Sequence, residues 1–221
     1  FQLEKFPGAD PRLSTQMKSV GEAMAIGRTF KEALGKALRS MELDATPKLD
    51  FDRIAEYLAN PTPERLAYVF AALRRGYTVE EIHTYTHIDL WFLTELAHFI
   101  ELETRLRDQA WETLDAGTLA QAKAWGFSDR ELGELFEHPE TDVRERRAEL
   151  GVRPVFKMVD TCAAEFEAFT PYFYSTYGGN ENEAIVSDRP KVVILGSGPN
   201  RIGQGVEFDY ANVHAVWALQ E

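Results

Sequence analysis

Between residues 51 and 150 five of seven apolar-periodic stretches open on Ser or Thr, and five close on Gly or before Pro. This punctuation constrains the fold more than any other feature. The first N–H groups of a helix need an acceptor, which a Ser or Thr side chain supplies, and a helix end favours glycine. FDRIAEYLAN stops at Pro61. TPERLAYVFAALRRG takes Thr62 as its cap, Pro63 as its first helical residue and Gly76 as its end. TVEEIHTYTHI repeats that logic from Thr78. IDLWFLTELAHFIELETRLRDQAWETLDAG has the length for six or seven turns and sets Leu90, Leu93, Leu96, Ala97, Ile100 and Leu106 along one side. TLAQAKAWG, SDRELGELFE and TDVRERRAELG follow. Short capped helices with short links predict a compact helical bundle, with no internal repeat.

The flanks read differently. LSTQMKSVGEAMAIGRTFKEALGKALRS begins as a polar loop and turns helical after Arg28. Thr29 is its cap, Glu32 stands three places on, and Phe30, Ala33, Leu34, Ala37 and Leu38 repeat at helical spacing. TPKLD at 46–50 breaks the chain. Beyond the bundle, residues 153–177 alternate aromatic and β-branched residues with polar ones. They predict an extended crossing segment with one turn around CAAEF. After the polar loop GGNENEAIVSDRP, the run KVVILG has the composition of a central parallel strand, and FDYANVHAVWALQ that of the helix following it.

Charge divides the chain in the same places. Residues 1–40 carry 7 basic and 4 acidic side chains, a net +3; residues 41–153 carry 13 and 23, a net −10; residues 154–221 carry 4 and 9, a net −5. The total of −12 disfavours nonspecific nucleic-acid binding. No apolar run is long enough to span a membrane and no signal-peptide pattern opens the chain. One cysteine, Cys162, excludes an internal disulfide and fits a reducing cytoplasm. The first residue is Phe1 and the last strand–helix pair has nothing after it, so both ends read as cut.

The glycine loop is the strongest candidate for chemistry. Gly196, Gly198 and Gly203 give GxGxxxxG, two residues too long for a dinucleotide fingerprint, with Pro199 where a pyrophosphate would be cradled. The loop also lacks the Lys-Ser/Thr ending of a P-loop. A tight strand-to-helix turn without ligand is the plain alternative. His83 and His87 have the i, i+4 spacing of metal ligands, but further ligands are missing, and surface or capping roles fit them better. Trp91 and Phe92 read as core, and Cys162 as a small buried residue rather than a nucleophile.

Four phrases in order carry a resemblance: QLEKFPGADPRLSTQMKSVGEAMAIGRTFKEAL, PTPERLAYVFAALRRGYTVEEIHTYTHIDLWFL, VFKMVDTCAAEFEAFTPYFYSTY and KVVILGSGPNRIGQGVEFDYANVHA. Together they resemble the middle of the large subunit of carbamoyl-phosphate synthetase, over essentially all 221 residues. Two departures are mild. Leu90 stands where that family commonly has proline, and Ala211-Asn212 where paired cysteines are common.

The resemblance implies a mainly α fold: a helical-bundle oligomerisation domain flanked by the tail of an ATP-grasp unit and the first βα unit of a Rossmann-like pre-ATP-grasp domain. Residues 1–40 would be the tail of the first, carboxyphosphate unit, 41–153 the oligomerisation domain, 154–186 a connector and 187–221 the start of the second, carbamoyl phosphate unit. It implies a cytoplasmic ligase that makes carbamoyl phosphate from bicarbonate, two ATP and ammonia for arginine and pyrimidine biosynthesis. A glutaminase small subunit would supply the ammonia, and the helical domain would hold homo-oligomers. ATP and magnesium ligands would lie outside this chain, so no catalytic or metal residue is assigned, and the isolated piece is expected to be inactive. Glu4, Arg201, Gly205 and Glu207 are implied to line the passage for intermediates. A free-standing helical interaction module with a Rossmann-like appendage and no catalysis is the alternative, and flanking reading frame distinguishes the two.

Overall fold

The structure is a computed structural model; it describes residues 6–16, 18, 21–41, 48–169, 172–196, 200–201 and 205–221. In chain order the elements are β1 (Gly21–Glu22), α1 (Phe30–Ser40), a 3-10 turn (Phe51–Arg53), α2 (Ile54–Ala59), α3 (Arg65–Arg74), α4 (Val79–Thr86) and α5 (Leu90–Arg107). A second 3-10 turn (Trp111–Thr113) leads to α6 (Ala116–Ala124), α7 (Asp129–Phe136), α8 (Glu140–Glu149), β2 (Val155–Met158), β3 (Phe173–Thr176), β4 (Asn200–Arg201) and α9 (Gly205–Gln220). The fold is mainly α, with two small antiparallel pairs, β1–β4 and β2–β3.

The chain forms two compact units. One comprises residues 1–24, 38–100 and 191–221, the other 25–37 and 101–190, so the division falls inside α1 and α5. In the first, α2 packs against α3 and α4. Ile54, Leu58, Tyr68, Val69, Ala72, Ile82, Leu93 and Leu96 are buried there. Tyr57 stacks on Tyr68 at 4.2 Å, and the Tyr68 hydroxyl accepts from Asp50 N. Arg65 donates to the Leu58 carbonyl at 2.9 Å and to the Thr86 carbonyl, and so closes the C-terminal ends of α2 and α4.

In the second unit Leu102, Leu106, Leu114, Leu119, Ala122, Leu132, Val143 and Val152 form the core. α7 and α8 pack closely. Ser128 and Glu131 form a capping box on α7, as Thr78 and Glu81 do on α4. Asp115 caps α6 by accepting from the N–H groups of Gly117 and Thr118. β2 and β3 pair from Val155↔Thr176 to Met158↔Phe173. The turn expected around CAAEF is present: Asp160 accepts from Cys162 N and Ala164 N, and Ala163 and Ala164 both have positive φ.

Several expectations are corrected. α3 starts at Arg65, after a turn through Pro63 and Glu64, so Thr62 is not its cap. α5 has 18 residues, about five turns at 3.6 residues each. A 3-10 turn interrupts the longer helix expected, because Asp115 caps a new one. Leu102, off the expected stripe, is fully buried, whereas Leu90, on it, is 43% exposed. One helix serving two cores buries two different faces. Trp91 and Phe92 are exposed rather than core, at 54% and 43%. Cys162 is half-buried. KVVILG forms no strand, and Val192, Val193 and Leu195 are 66%, 81% and 89% exposed. A central strand exists only through ladder partners on its edges, and the described residues supply none.

Candidate functional site

The loop before α9 comes first. α9 begins at Gly205, three residues before the stretch expected to be helical, so Gly205 is its first residue and Glu207 lies in its first turn. Arg201 lies in β4, its backbone paired with Gly21 of β1. The chain segment before the helical region and the loop before α9 thus share one backbone ladder. Gly196 is also constrained: a Cβ there would come within 3.1 Å of Asn212 Nδ2 on α9. Glu4, Gly198, Pro199 and Gly203 lie outside the described residues, as does the spacing of the glycine loop as a whole.

The other histidine and acidic candidates form no metal centre. His83 Nδ1 donates to the Ile88 carbonyl at 2.6 Å, and His87 is the left-handed C-cap of α4. Among the described residues no three His, Cys, Asp or Glu side chains converge as metal ligands. A shallow cavity of about 420 Å³ lies between Trp111–Glu112 and α8. It is lined by Glu112, Asp142, Glu145, Arg146 and Glu149, and Arg146 already reaches the Leu114 carbonyl at 3.3 Å and Glu149 at 3.7 Å.

An exposed apolar patch lies at the start of α5 in the first unit. Asp89 accepts from Trp91 N at 2.8 Å and so starts the helix. Trp91 and Phe92 meet edge to face at 5.0 Å, and Leu90 and Tyr85 are exposed beside them in sequence. Exposed aromatic pairs of this kind mark contact surfaces.

Two carboxylates, one buried and one half-buried, hold partners distant in sequence. Glu32, 2% exposed, accepts from Arg28 N at 2.8 Å and from the Thr176 hydroxyl at 3.0 Å. Asp129 lies 2.8 Å from Lys123 Nζ and 3.0 Å from Arg147 Nη2. Burial opposes its ionisation, but the hydrogen bonds from Arg147 and Lys123 outweigh that and hold its carboxyl below the ordinary value. Thr29–Glu32 was legible as a cap. Thr176, 144 residues from Glu32, was not.

The described residues are thus mainly helical, with an aromatic pair exposed at the start of α5. Family models match two parts of the chain. Residues 22–151 match the oligomerisation domain of the carbamoyl-phosphate synthetase large chain, and residues 188–221 match the carbamoyl phosphate synthase preATP-grasp domain. The chain belongs to the carbamoyl-phosphate synthetase large-chain family. It is similar to the carbamoyl phosphate synthase large chain of Thermotoga neapolitana, 66% identical over 221 residues, which is all of this chain and 20% of that one. It is 50% identical over 231 aligned positions to the large chain of Synechocystis sp., and 50% identical over 235 to that of Rhodopirellula baltica, covering 21% and 22% of those proteins. The chain spans about a fifth of the length of these relatives. No described helix is long and apolar enough to cross a membrane.

Proposed function

We propose that this chain is the central part of a glutamine-dependent carbamoyl-phosphate synthetase large chain. It joins a first ATP-grasp unit, which makes carbamate from bicarbonate, ammonia and ATP, to a second unit, which phosphorylates carbamate with another ATP. A glutaminase subunit supplies the ammonia, and the whole works in the cytoplasm for arginine and pyrimidine synthesis. The observation that carries this reading is the 66% identity across every residue of the chain, which takes in the helical region and the loop before α9 alike. The isolated segment has no chemistry of its own. Its work is to join, to hold copies together through the apolar patch at Trp91 and Phe92, and to form part of the route between the two sites.

On this reading Gly205 keeps the route open, because the absence of a side chain leaves room where the backbone crowds it. Arg201 and Glu207 are the polar groups that let carbamate pass, and Glu4 belongs to the same route from the first half. The test uses the full-length large chain with its glutaminase subunit. In Gly205→Leu, bicarbonate-dependent ATP hydrolysis and ATP synthesis from carbamoyl phosphate stay near wild type, while carbamoyl phosphate formed per ATP consumed falls. Equal loss of all three reactions overturns the transfer role. A wild-type complex that forms no carbamoyl phosphate overturns the reading itself.

A further inference from the structure

The second unit takes in residues 25–37 and 101–190, and within it residues 26–36 and 174–178 are held together by one set of buried contacts. Thr176, 1% exposed at the end of β3, donates its hydroxyl to Glu32 Oε2 and accepts from Gly178 N at 2.9 Å. Glu32 also accepts from Arg28 N, while its Oε1 has no hydrogen bond and lies 3.5 Å from Lys36 Nζ. Lys36 donates to the Ile26 carbonyl at 2.8 Å and to the Ser175 carbonyl, so one ammonium bridges both segments. The ring of Tyr174 lies 5.7 Å from the same ammonium.

Both segments are also fixed to the helical core. A Cβ on Gly35 would come within 2.9 Å of the Gly126 carbonyl, so α1 sits against the turn after α6 with no room for a methyl group. Gly126 has φ +101, a backbone that only glycine adopts without strain. Lys31 lies over the Trp125 ring at 4.9 Å. Tyr177 sits between two cations, 5.3 Å from Lys123 and 5.7 Å from Arg147, and both cations are held by Asp129. Residues 26–36 and 174–178 therefore cannot shift independently. Moving either one takes the Thr176 hydroxyl from Glu32, a buried carboxylate that then keeps the Arg28 N–H of its own segment, and that loss is costly in a site that water does not reach.

We infer that Glu32, Lys36 and Thr176 are positioning residues for the two-site reaction: they lock together the points where this module attaches to the units before and after it. The inference rests on the function proposed above. The synthetase halves that this chain would join are then held in register where they meet it, and transfer from one active site to the other stays efficient. A merely structural contact would lower all activities together when broken. A register lock affects transfer between sites and leaves each site's own chemistry in place.

The experiment uses the full-length large chain with its glutaminase subunit. Thr176→Val removes the hydroxyl and keeps the shape, and Thr176→Ser restores it. Lys36→Met removes the bridging ammonium from a side chain 21% exposed, and is the second variant should Thr176→Val fold poorly. Each is checked by thermal melting before assay. The expected result is that both partial reactions stay within about twofold of wild type, while carbamoyl phosphate per ATP falls about threefold or more, since small misplacements at a distance lower transfer steeply. Thr176→Ser recovers the wild-type yield. Folded variants with a wild-type yield overturn the inference, and so does a parallel fall of yield and both partial reactions. A wild-type complex without carbamoyl phosphate synthesis overturns the reading beneath it, and that failure shows before any variant is made.

Discussion

Asp129 shows how much one residue can hold. It is 10% exposed and bonded to both Lys123 and Arg147, and the two cations frame Tyr177. Removing one partner of such a group leaves charge buried without compensation. Asp129→Asn is expected to lower unfolding free energy by about 3 kcal/mol, read by urea denaturation at neutral pH. The pH dependence has a fixed sign. The folded carboxyl titrates below its unfolded value of about 4, so its contribution is present above that pH and disappears as pH falls through the folded value. The gap between wild type and Asp129→Asn therefore narrows on acidification below about pH 4. A gap that widens there contradicts the assignment. Neither pairing is specified locally: Lys123 lies six residues back on α6, across the turn into α7, and Arg147 lies eighteen residues on and reaches Asp129 only through the packing of α7 on α8. The aromatic pair was misread for a related reason. Trp91 and Phe92 carry apolar character, but character does not say which face of α5 meets a neighbour.

Helix starts are a more local matter. In α7 the Ser128 hydroxyl accepts from Glu131 N at 3.0 Å and Glu131 Oε2 accepts from Ser128 N at 2.7 Å. Both bonds lie within four consecutive residues, so the sequence specifies them without tertiary help. Ser128→Ala is expected to lower stability by about 1 kcal/mol, with little change in the denaturant slope. A loss beyond about 3 kcal/mol would mean that Ser128 supports more than a cap. The same locality explains why α4, α6 and α7 start at Thr78, Asp115 and Ser128, side chains able to accept. Thr62 failed as a cap although its chemistry was right, because Pro63 and Glu64 form a turn before the first helical residue. KVVILG failed because strand state, unlike helix state, is made by residues far away in sequence.

At the scale of the whole molecule, the exposed patch of Leu90, Trp91 and Phe92 leads to a prediction about assembly. Buried aromatic anchors dominate contacts between chains, each contributing about 2 kcal/mol or more. Light scattering after size exclusion should find the protein self-associated, and Trp91→Ser with Phe92→Ser should weaken association at least tenfold, about 1.4 kcal/mol, while leaving the melting of the helices intact. A wild-type monomer at about 100 μM, some hundredfold above a constant of about 1 μM, counts against it, as does an unchanged mass for the double variant. The family, the helical character and the helix starts after Thr29, Thr78 and Ser128 were determined by the sequence itself, since motif order, periodicity and caps are encoded within a few residues of one another. Tertiary structure alone decided which face of α5 is buried, that the helices divide into two units, and that Thr176 closes on Glu32. Those outcomes depend on burial and on partners more than a hundred residues apart, and a side chain's own chemistry does not specify which distant surface will exclude water from it.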